Sequence, residues 1–154
     1  MKKVMTGVRY LFTLVMLVVI SCSMSANDSL VGKWQQTVDE QGVKIVTIYD
    51  FHADGTLSQH MDMSNSSTPR MKMVADGVCK YTFQNNTITF KFNPQDFNFS
   101  TFEVEGLDQA TTDAILEQTK TSMTAMEQKI TNVKIDGNKL TGTFNGQEFV
   151  LTRM

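Results

Sequence analysis

Cysteine, histidine, proline and concentrated positive charge are all scarce in this chain, and each shortage removes a class of protein. Only Cys22 and Cys79 occur in 154 residues. A disulfide-stapled scaffold needs more pairs than that. Cys22 lies in a leader that would either be removed or be lipidated at that residue. Cys79 is then left without an internal partner and reads as a buried thiol that packs as a small hydrophobe. No histidine or basic cluster adjoins it to favour a thiolate. The two histidines, His52 and His60, form neither an HExxH nor an HxH motif, so no zinc ligand set is expected. No GxSxG, P-loop, GxGxxG or Ser-His-Asp order appears. Glu103 and Glu105 stand two apart and read as solvated strand positions rather than a catalytic pair. With no acid–base pair and no activated nucleophile visible, no enzyme activity and no cofactor are expected.

Basic residues number 14 against 16 acidic. Without Lys2, Lys3 and Arg9 the balance is 11 to 16, a formal charge of −5. No basic run remains, and nucleic-acid binding needs one to displace counterions. A long apolar run is also missing: the longest, Tyr10 to Ile20, falls short of the ~20 residues of a membrane span. With Lys2, Lys3 and Arg9 before it and Ser21 to Ala26 after it, that run has the layout of an export signal. Two cleavage readings fit. Ordinary cleavage removes residues 1–26 and leaves one domain at 27–154. Alternatively, Val19-Ile20-Ser21-Cys22 resembles a bacterial lipobox, in which residues 1–21 are lost and Cys22 carries a membrane-anchoring lipid at about 0.8 kcal/mol per buried methylene. Either way the protein is expected in the periplasm, on the outer membrane or secreted, as a monomer.

What the chain does have is Thr, Phe and alternating patterns, which favour strands. Strands are expected over Trp34–Val38, Val43–Phe51, Thr56–Met63, Met71–Phe83 (bulged near Asp76-Gly77), Thr87–Phe92, Phe97–Glu105, Thr131–Ile135, Leu140–Phe144 and Glu148–Arg153. Asp54-Gly55, Asn85-Asn86, Asp136-Gly137 and Asn145-Gly146 supply turns. Between Asp108 and Lys129 the period becomes helical. Asp108 is the expected N-cap, and Ile115, Thr119, Met123, Met126 and Ile130 form the expected buried stripe. About eight or nine antiparallel strands with one helix before the last three predict a mainly β, up-and-down barrel, with an open sandwich as the alternative. Closure removes exposed strand edges. A barrel of roughly eight strands either fills with side chains or holds one small ligand.

Leu30-Val31-Gly32-Lys33-Trp34 resembles the Gly-x-Trp opening of lipocalins. Tyr49-Asp50-Phe51-His52-Ala53-Asp54-Gly55-Thr56 resembles the next hairpin of small bacterial lipocalin-like domains, and Leu151-Thr152-Arg153 resembles the final strand. The resemblance implies a calycin-type barrel closed at one end by Trp34, with Arg153 lying over the indole. Gly32 would let the chain approach the tryptophan without a Cβ in the way.

The expected binding residues are inward-facing apolar side chains: Tyr49, Met61, Met63, Met73, Phe83, Phe90, Phe92 and Phe144. They suit a small apolar or amphipathic ligand. The alternative is a filled barrel that contacts envelope proteins or inhibits a partner through the Ser64–Arg70 and Asn93–Asn98 loops. Met61, Met63, Met71 and Met73 with His60 also form a candidate Cu(I) set, since thioethers are soft ligands. Plain core packing by adaptable methionines explains the same cluster.

Overall fold

The computed structural model describes residues 29–154, so the leader and Cys22 lie outside the described residues. Alternating side chains build nine strands: β1 Gly32–Glu40, β2 Val43–Phe51, β3 Thr56–Asn65, β4 Met71–Gln84, β5 Thr87–Phe90, β6 Phe97–Val104, β7 Gln128–Asp136, β8 Lys139–Phe144 and β9 Gln147–Arg153. One helix, α1 Gln109–Ala125, separates β6 from β7. Every pairing is antiparallel. Eight strands close in the ring β1-β2-β3-β4-β5-β7-β8-β9, and β6 adds to β4 outside it. The expected barrel is therefore closed, and the open sandwich is excluded.

The turns follow their residues. Asn145 and Gly146 both have positive φ (50° and 79°), the conformation that a two-residue hairpin turn requires. At the Asp54-Gly55 turn the Asp54 carboxylate accepts the Thr56 amide at 2.9 Å.

Closure is uneven along the barrel. β1 meets β9 only at Trp34–Arg153 and Gln35–Thr152. β5 takes the Tyr81–Gln84 half of β4, while β6 takes Met71–Gly77. The strand ring is thus tight around the tryptophan end. Towards the other end β5 stops, β1 and β9 part, and β6 with α1 completes the wall. α1 packs on β6 and on the short 3-10 turn Pro94–Asp96.

The tight end holds the densest core: Trp34, Phe51, Leu57, Ile88, Leu140 and Leu151 are each 0–1% exposed. Trp34 Nε1 donates to the Leu30 carbonyl at 2.7 Å. Arg153 lies over the indole with its guanidinium carbon 4.2 Å from the ring centroid. Its Nη1 donates to the Val31 carbonyl at 2.9 Å and its Nη2 to the Ser29 carbonyl. One cation thus ties the last strand to the chain entering the first. The reason for Gly32 differs from the one expected. A Cβ there would sit 2.8 Å from Arg153 Nη1, and φ is +123°; the glycine makes room for the arginine.

Three further expectations are corrected. α1 ends at Ala125, and Met126 turns extended (φ −117°, ψ 150°). Met126 is 69% exposed and Ile130 faces the core from β7, so neither belongs to a helical stripe. Residues Gln128–Ile130 instead pair with Phe90–Ile88, which satisfies the backbone edge of β5 that another helical turn would leave unpaired. The irregularity in β4 lies at Val74/Ala75 against β6 rather than at Asp76-Gly77. Gly77 is instead a point of close approach, where a Cβ would sit 2.5 Å from Phe97 Cδ2 and 2.8 Å from Phe92 Cε1. A second register shift falls between Thr131 and Lys134 on β7, where Asn132 has φ 54°.

Candidate ligand cavity

Because alternate strand residues face inward, β2 and β3 present Tyr49 and Gln59 directly opposite one another, with Met61 one step further along β3. Phe90 ends β5, Phe92 follows it, and Phe97 opens β6. Phe144 comes from β8, Gln128 from the start of β7 and Met123 from the last turns of α1. Together these side chains surround a cavity of about 180 Å3 in the looser half of the barrel. An apolar cavity of about 150 Å3 accepts benzene, so one ring with a small substituent fits. Ligand pockets for larger molecules span about 300–1,000 Å3.

Aromatic side chains in edge-to-face contact make up much of the wall. Phe90 and Phe92 lie 5.7 Å apart by centroid, Phe92 and Phe97 5.3 Å, and Tyr49 and Phe149 5.9 Å. Such pairs stabilise beyond their buried area by about 0.5–1.5 kcal/mol. No charged side chain lines the space among the described residues. Burial raises the Tyr49 hydroxyl far above the ordinary phenol range and keeps it protonated.

Five of the eight expected binding residues meet here: Tyr49, Met61, Phe90, Phe92 and Phe144. Met63 and Met73 face inward as a directly opposed pair on β3 and β4, beyond the cavity. Phe83 lies near the tight end, opposite Ile88, beside a shallow surface depression. Gln59, Phe97, Met123 and Gln128 line the cavity without having been expected there. Met123 stood on the predicted helical stripe. Gln59 alternates with Leu57 and Met61, so the period-two pattern did place it inside; its polarity hid it. Gln128 was masked by the overlong helix.

Other candidate chemistry separates. His60 points outward and bonds Asp76 at 2.7 Å through Nδ1, so it does not join the inward methionines. No group of three or more His, Cys, Asp or Glu gathers among the described residues. His52 Nε2 lies 3.4 Å from Ser58 Oγ and 3.8 Å from Asp50. The same ring nitrogen faces both, whereas a proton relay uses opposite nitrogens. Glu103 is exposed, and Glu105 accepts the Arg70 amide at 3.1 Å. Cys79 is buried on the inner face, and desolvation pushes its thiol up to about 11.

Among the described residues the fold and this cavity define a closed antiparallel eight-stranded barrel with a helix between β6 and β7, compatible with a lipocalin-like fold. No protein-family model matches the chain, and no curated protein matches it.

Proposed function

We propose that this chain is an exported, non-enzymatic domain of the bacterial lipocalin-like (calycin) type that takes a small apolar or amphipathic molecule into its barrel. The observation that supports it is the aromatic-walled cavity of about 180 Å3, set apart from the dense core that stabilises the tight end. Methionine methyl NMR tests it. Met61 and Met123 line the cavity, whereas Met154 is 65% exposed at the chain end. Titrated toluene should shift the first two signals and leave the third unmoved. No saturable shift with any single-ring probe would remove the reading.

The modest cavity volume favours a second reading, a barrel that mainly supports contacts with envelope proteins. The exposed loop residues 66–70 would then carry the contact. Cross-linking from that loop in intact cells should recover a defined partner if this reading holds. The anchoring expectation belongs with either: intact-mass measurement of the exported protein distinguishes a lipidated Cys22 from cleavage at Ser25 or Ala26.

A further inference from the structure

We infer that the cavity selects an uncharged molecule bearing one hydroxyl or carboxamide, read jointly by Tyr49 and Gln59. This rests on the cavity being a ligand site and specifies what that site accepts. The two residues are directly paired across β2 and β3, which puts their Cβ atoms about 5 Å apart on one face. Each is only 8% exposed. Neither side chain hydrogen-bonds to any group among the described residues, yet no fully enclosed side-chain nitrogen or oxygen there lacks a partner. The phenol oxygen and the carboxamide therefore keep open contact with the space they line. Buried polar groups are ordinarily paired, so this pair stands ready for a partner from outside the protein.

The chemistry of that partner follows from what faces it. A phenol donates one hydrogen bond and accepts others, and a carboxamide both donates and accepts. Their complement is a group that also does both. Gln128 adds a third neutral polar side chain, and aromatic rings with the thioethers of Met61 and Met123 make up the rest of the lining. No lining side chain among the described residues carries a charge that would neutralise a carboxylate or an ammonium, and an unpaired buried ion is strongly disfavoured. Burial holds Tyr49 protonated, so it offers no anion to a cationic guest. The volume limits the body of the molecule to about one ring.

Three single-ring probes test this on the mature protein by calorimetry and methionine methyl NMR: p-cresol, toluene and p-toluate at neutral pH. Toluene is the more hydrophobic of the neutral pair and binds tighter wherever apolar transfer alone decides. The expected order is p-cresol at least fivefold tighter than toluene, with p-toluate not binding. Tyr49→Phe and Gln59→Met should each narrow or reverse the preference for p-cresol. Toluene binding as tightly as p-cresol, or p-toluate competing, overturns the selectivity and leaves the cavity reading standing. No binding by any probe overturns both. The wild-type order decides even where a variant fails to fold, and an unchanged order in folded Tyr49→Phe and Gln59→Met variants overturns the assignment to this pair.

Discussion

Replacing Arg153 with methionine isolates the contact that fastens the barrel's tight end. The methionine stem keeps most of the apolar packing against Trp34 and removes the charge. Two hydrogen bonds are lost, to the carbonyls of Val31 and Ser29, together with the stacking over the indole at 4.2 Å. Hydrogen bonds from a charged donor contribute about 1.5–3 kcal/mol each, and a cation–π contact about 0.5–2 kcal/mol. Arg153 is half-buried, so water takes over part of each loss, and the expected net cost is about 2–3 kcal/mol. In a domain of this size each kcal/mol lowers Tm by about 3–5 °C. Urea unfolding followed by circular dichroism should show a lower midpoint with an unchanged slope, since the buried surface hardly changes. Arg153→Lys should recover less than half of the loss, because one ammonium cannot serve two carbonyls and the ring face as a planar fork does. If Arg153→Lys matches wild type, or Arg153→Met costs under about 0.5 kcal/mol, the guanidinium is ornamental and the reasoning fails.

Gly77→Ala drives a methyl group towards Phe92 and Phe97, which both line the cavity; the rings should yield into that space, with a stability cost of about 1–3 kcal/mol and loss of the toluene-induced shifts at Met61 and Met123. At acid pH, Asp54 and Asp108 should matter most. Hydrogen bonds from Thr56 and Thr111 hold their carboxyls below the usual carboxylate value. Their contribution is therefore present above the unfolded carboxylate pKa, about 4, and is lost as pH falls through the lower folded values. Asp54→Asn and Asp108→Asn should each flatten the acid limb of a stability–pH curve. Cys79, its thiol raised to about 11 by burial, should resist a thiol reagent at pH 8 in the native protein and react at once in denaturant.

Much of the fold was legible because inward and outward residues alternate cleanly. β2 ran over Val43–Phe51 in both the sequence reading and the structure, where Thr47, Tyr49 and Phe51 are buried and Lys44 is exposed. The Trp34–Arg153 pair was legible through the resemblance, since nothing local in either segment points to the other. What stayed hidden depended on partners distant in sequence. The end of α1 is set by the free edge of β5, and no helical propensity between Met126 and Ile130 encodes that edge. The Gly77 contact requires Phe92 and Phe97 to converge from beyond β5. Gln59 was visible as an inner position, but a polar residue inside a barrel gains meaning only once Tyr49 is seen opposite it and neither side chain has a hydrogen-bond partner among the described residues.

The same geometry explains why stability and binding can be altered separately. The complete strand ring around Trp34 is stapled by Arg153 and filled by aliphatic side chains such as Leu57, Ile88, Leu140 and Leu151, which interlock closely. In the looser half, β6 joins only β4 among the described residues, and α1 reaches the cavity through Met123. α1 buries little: its buried residues are Thr112 and Thr124, whose hydroxyls donate back to the Asp108 and Lys120 carbonyls at 2.9 Å. A helix held by so little apolar area is expected to open at a lower free energy than the strand ring, which amide hydrogen exchange would show. Substitutions at Leu140 or Leu151 should therefore lower the unfolding midpoint by the roughly 2–5 kcal/mol of a core truncation while leaving probe affinity intact in the folded fraction. Met123→Ala should do the reverse, changing probe affinity several-fold with a stability cost that is small because the residue is only half-buried.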